Sequence, residues 1–149
     1  MALDTLGVKN IMGARKLWQS NGGGCTRRDL LYCRSPEVRK EILRFLYGLP
    51  NHLDIEVNGH AYHLVHGYPA GSREERIWKR PETDWPAPIS GVTAIIGHTP
   101  TVYLNGDDNE PFRIWHGNGV ICIDCGCGNE TNLRRLACLR LDDMEEFYV

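Results

Sequence analysis

One stretch limits the fold more than any other: "LDIEVNGHAYHLVHG", residues 53 to 67. Apolar and polar residues alternate on both sides of Asn58-Gly59. An Asn-Gly pair supplies the two positive-φ positions of a tight hairpin turn, and period-two alternation puts one face of each arm toward a core. The chain must therefore accommodate a β-hairpin near its middle. Just before it, "SPEVRKEILRFLYGLP" (35 to 50) has helical spacing. Ser35 is suited to the N-cap and Pro36 to the first helical position. Val38, Ile42, Phe45 and Leu46 form an apolar face, Glu37, Arg39, Lys40 and Arg44 the polar one, and Gly48 and Pro50 close the helix.

The remainder reads in the same way. Residues 1 to 34 are polar and glycine-rich, with "SNGGGCTRRD" expected as a loop; Leu6, Val8, Ile11 and Leu17 allow a short helix before it. Residues 68 to 91 form a long loop with room for one helical turn, and long loops in compact domains tend to carry function. "GVTAIIGH" is expected to be a buried strand. "TVYLNGDDNEPFRIWHGNGVICIDCG" is expected to give three short strands with turns at Asn105-Gly106, where Asp107 and Asp108 fall, and at Gly117 to Gly119. "RRLACLRLDDMEEFYV" closes with a hairpin in which Leu136, Cys138 and Leu139 to Leu141 are partly buried. One or two helices before a mostly antiparallel or mixed sheet give an α+β class, or α/β if further elements belong with it. The expectation is one domain over residues 1 to 149, long enough for a real core.

Composition excludes some classes of function. The apolar fraction is 42%, the charged fraction 24% and the net charge -2, an ordinary globular balance that argues against a dedicated nucleic-acid binder. No apolar run approaches a membrane span, and the first residues lack the basic-then-apolar order of a signal peptide, so a cytoplasmic location is expected. The six cysteines are then expected to be reduced. Cys122, Cys125 and Cys127 form a CxxCxC string, which is half of a zinc knuckle; burial as small apolar thiols is the reading that this spacing favours.

Two histidines share a context. His66 closes the strand "AYHLVHG" and His98 closes "TAIIGHT", each before a turn. Adjacent strand ends can bring two such rings to one rim of a sheet, and imidazole suits zinc, manganese, iron or nickel. Asp124 is the plausible carboxylate partner. His60, His63 and His116 read as structural or exposed. Arg73, Arg76, Lys79 and Arg80 lie between the two histidines, and guanidinium matches phosphate oxygens in bidentate geometry, although Glu74, Glu75 and Glu82 also fit a solvated charged loop.

Taken together, "HLVHG", "IWKR", "IIGHTPT" and "ICIDCGCGNETNLRRLACLRLDD" resemble the C-terminal part of the metallophosphatase (calcineurin-like phosphoesterase) superfamily. The nearest branch is that of the phosphoprotein (serine/threonine) phosphatases and diadenosine-tetraphosphate hydrolases. "LWQSNGGGCT" resembles the segment that follows that family's Asn-His-Glu motif. The resemblance implies the C-terminal half of an α/β/β/α sandwich, with His66 and His98 as ligands of one metal of a pair and Arg80 as a phosphate contact. The family's Gly-Asp-x-His, Gly-Asp-x-x-Asp-Arg-Gly and Gly-Asn-His-Glu motifs do not occur in the 149 residues. The implied function is a truncated phosphoesterase lobe, inactive alone, whose exposed sheet is covered by a missing N-terminal half, by self-association or by a target protein. The alternative is a stand-alone protein-binding or inhibitor module built on such a lobe, such as a mobile-element inhibitor of host defence.

Overall fold

The computed structural model describes residues 16–72, 75–106 and 109–149. The chain forms two compact units, Met1–Pro50 and Asn51–Val149. Leu6, Val8, Ile11, Arg73, Glu74, Asp107 and Asp108 lie outside the described residues.

In the first unit the glycine-rich stretch is helical, not the expected loop. A π-type segment, Gln19–Gly23, contains a kink at Asn21 and Gly22, the latter at φ 83°. It runs into α1 (Gly24–Arg28) and a second π-type segment, Asp29–Cys33. Glycine permits the left-handed kink, and the helix resumes on either side of it. Helix α2 spans Pro36–Gly48 as its caps require, and the Ser35 hydroxyl accepts a hydrogen bond from Val38 N at 3.4 Å. Its apolar stripe is shallow: Ile42 and Leu46 are half-buried, whereas Val38 and Phe45 are exposed.

The second unit is built on a five-stranded sheet, ordered β1-β2-β3-β5-β4. The strands are β1 (His52–Val57), β2 (His60–Val65), β3 (Thr93–Ile96), β4 (Trp115–Gly117) and β5 (Val120–Cys122). Asn58 and Gly59 take φ 53° and 76°, the turn that pairs β1 with β2. The sheet is mixed: β2, β3 and β5 run parallel at its centre, with β1 and β4 antiparallel at the edges. The class is α+β. Thr101–Tyr103, expected to start a strand, is a 3-10 turn, so among the described residues two strands form between there and Cys122. A second ladder pairs β6 (Ala137–Leu139) with β7 (Glu146–Tyr148). Leu136 and Cys138 are exposed, contrary to expectation, because strand alternation turns Ala137 and Leu139 inward instead.

Each face of the sheet has its own core. Val65, Ala94, Ile96, Val120 and Cys122 pack with Tyr68 and Leu104 on one side. Ile121, Phe112, Ile114 and Cys125 pack on the other, where Ala137, Leu139 and Tyr148 of the small ladder cover them. No helix among the described residues is long and apolar enough to cross a membrane.

Candidate functional site

The register of the parallel strands aligns Val65, Ile96 and Cys122. Their successors therefore emerge side by side at the carboxyl edge of the sheet, where ligands of open α/β sheets are commonly held. Gly97 N donates to His66 O at 2.9 Å and Ile123 N to Ile96 O at 2.9 Å, which extends the ladder one residue past the strands. This brings His66 and His98 together, with ring centroids 5.1 Å apart and an interplanar angle of 52°.

The connection after β2 delivers the basic groups. Ser72 N donates to Glu75 Oε2 at 2.6 Å and Glu75 N to Ser72 Oγ at 3.3 Å, a reciprocal capping box that starts the short helix α3, Glu75–Trp78. Gly67 N then donates to Arg76 O at 2.7 Å and Tyr68 N to Lys79 O at 3.0 Å, which straps the end of α3 beside His66. Lys79 is spoken for: its ammonium lies 5.0 Å from the Trp85 ring centroid and 5.7 Å from that of Tyr68. Arg80 is exposed and lines a cavity of about 350 Å³ with Pro81, Thr99, Tyr103 and Leu104.

His98 sits at φ 64°, an uncommon conformation for a residue with a side chain, and the edge of Trp78 meets its ring at a centroid distance of 5.4 Å. Burial first, then His66 and Arg80, push the His98 imidazole below its ordinary range; the Trp78 backbone and the Asp124 carboxylate pull the other way. The shift favours the neutral imidazole, whose nitrogen lone pair can serve a ligand. Thr99, next in the chain, is buried, and its Oγ1 has no hydrogen-bond partner.

Two groups stand apart from this pair. Asp124 influences His98 electrostatically but accepts a hydrogen bond from Gly126 N at 3.2 Å and does not join a ligand cluster. The three cysteines do not gather: Cys122 belongs to one core and Cys125 to the other, and Cys127 is exposed. The buried Cys122 thiol donates to Thr99 O at 3.2 Å, and burial pushes its pKa up to about 12, far from a thiolate ligand.

Among the described residues, the group of three metal-ligating side chains close enough to share an ion is His52, Asp54 and His63, on the first hairpin. Sequence reasoning misses His52 and reads His63 as structural or exposed. The signal was available: a two-residue Asn58-Gly59 turn pairs 57 with 60, and therefore 54 with 63.

No protein-family model matches the chain, and no curated protein matches it either.

Proposed function

We propose that this chain carries the imidazole pair and the guanidinium of a metallophosphatase-type phosphoester site, and that alone it binds a divalent ion and phosphate without turnover. The observation that carries this reading is the pairing of His66 and His98 at one rim, with Arg80 near enough to act on His98 electrostatically. Two imidazoles bound to one ion at about 2.1 Å per bond place their centroids about 5 Å apart, which the 5.1 Å separation matches. The downward shift of the His98 pKa fits the same role. Manganese, zinc, iron or nickel suits such nitrogen donors. A divalent ion there would supply Lewis-acid polarisation of a phosphoryl oxygen. Arg80 would bind further phosphate oxygens, and the adjacent 350 Å³ cavity offers space for the rest of a phosphoester. Two histidines do not make a two-metal site, so hydrolysis of phosphoproteins or dinucleoside polyphosphates would require ligands from a further segment or chain.

The test is titration of inorganic phosphate with and without manganese. Wild type should bind phosphate only with the ion present, and Arg80→Ala should weaken that binding about tenfold or more, the equivalent of ~1.4 kcal/mol. Phosphate binding indifferent to both changes would remove the reading.

A second reading, a partner-binding or inhibitor module, draws on β1. It is an edge strand, and Leu53 and Ile55 on it are 52% and 37% exposed. An unpaired edge with apolar side chains is a template for another strand. Metal-dependent turnover of p-nitrophenyl phosphate that is abolished by His98→Ala would rule this module out.

A further inference from the structure

The hairpin carries metal-ligating groups that the phosphate reading does not use. Asp54 stands directly opposite His63, and His52 lies two residues along β1 on the same face. His63 Nδ1 is 2.6 Å from Asp54 Oδ1 and His52 Nε2 is 3.5 Å from Asp54 Oδ2. The two imidazole centroids are 4.8 Å apart, with ring planes at 30°. One ligand atom from each of the three residues lies within 4.8 Å of the others.

His52 meets Asp54 through Nε2, while its Nδ1 is buried without a hydrogen-bond partner. One feature exceeds what a cross-strand ion pair explains: Asp54 reaches both rings, one with each oxygen, where a single imidazole would satisfy an ordinary pair. Exposure is graded across the set: 11% for the His63 side chain, 39% for His52 and 68% for Asp54. One ligand is anchored, and the opposite side of the cluster is open to water. Two imidazoles and one carboxylate form an N2O donor set suited to borderline divalent ions, with zinc bonds of about 2.0–2.2 Å.

We infer that His52, Asp54 and His63 bind a zinc-class divalent ion, which clamps edge strand β1 onto β2 while water completes its coordination. On binding, the exposed Asp54 carboxylate exchanges its contact with His63 for one to the ion. All three ligands meet only when β1 and β2 are paired in register, so the ion binds the folded hairpin and raises stability with its free concentration.

Zinc alone is titrated into the full chain by calorimetry, with thermal unfolding measured in parallel. Wild type and His66→Ala/His98→Ala should both bind it here and melt higher in its presence. Asp54→Asn should weaken binding about tenfold or more, and His52→Ala/His63→Ala should abolish binding at this site. Because Asp54 is exposed, its asparagine variant keeps the test informative even if the double alanine variant folds poorly. No zinc binding by wild type, undiminished binding by Asp54→Asn, or loss of all binding with the His66/His98 pair would each overturn the inference.

Discussion

Gly67 is the residue on which the strap beside His66 depends, and Gly67→Ala is the perturbation that probes it. A Cβ at this position would meet Arg76 O at 2.6 Å and Ile77 O at 3.0 Å, whereas ordinary contacts begin near 3.4 Å. Both obstacles are backbone, so no side chain can swing aside; the segment at 76 and 77 must retreat by several tenths of an ångström. That stretches two hydrogen bonds, Gly67 N to Arg76 O and Tyr68 N to Lys79 O. At about 0.5–1.5 kcal/mol net for each, their loss costs about 1–3 kcal/mol. The smaller conformational entropy of alanine in the unfolded chain returns about 0.4–1 kcal/mol. The net expectation is a loss of about 1–2 kcal/mol, read as a lower urea midpoint with an unchanged slope. Displacing the strap also displaces Arg80, so phosphate affinity should fall with stability. A Gly67→Ala protein as stable as wild type, with the same phosphate affinity, would refute the close approach and the placement of Arg80 that follows from it.

Thiol labelling should divide the cysteines: Cys25, Cys33, Cys127 and Cys138 are exposed and should react in the native state, whereas Cys122, with its pKa near 12, and buried Cys125 should react only on unfolding. Tyr148 accepts from Ile114 N at 3.1 Å and donates to Glu146, which His116 also contacts at 2.6 Å; Tyr148→Phe should cost about 1–3 kcal/mol by denaturation. Burial pushes the Glu146 carboxyl up, but its bonds to Tyr148 and His116 outweigh that and hold it low, so the same variant should raise its midpoint in an NMR titration. Asp143, paired with Arg140 at 2.5 Å, is lowered from 3.8 to about 2. Its contribution is complete above the ordinary carboxylate range and is lost as pH falls through about 2, so Asp143→Asn should flatten that part of the acid limb of stability.

Local signals carried far in this chain. Ser35, Pro36 and the apolar spacing located α2 because caps and period are written in neighbouring residues. Asn58-Gly59 located the first hairpin for the same reason. Pairing order was not legible, because β2, β3 and β5 are joined by long connections with little regular structure and offer no strand–helix–strand rhythm. The helical run through Gly22 and Gly23 was missed because glycine reads as a breaker, yet a single left-handed kink absorbs it. At the rim, the shared strand-then-turn context of His66 and His98 foretold their meeting. The strap that leads to Arg80 rests on backbone bonds, which no local pattern announces, and on a Ser72–Glu75 capping box written in its S-x-x-E spacing. The His52–Asp54–His63 group follows from the hairpin register, which the turn sets.

The proposed ion site at His66 and His98 is decided by manganese titration of a His52→Ala/His63→Ala protein, in which the hairpin cluster cannot contribute, followed by paramagnetic resonance of the bound ion. One manganese should bind per chain, and its signal should change when inorganic phosphate is added. Adding His66→Ala and His98→Ala should remove both the binding and the phosphate response. Manganese binding that survives loss of both histidines, or that never occurs while they are present, would contradict the claim.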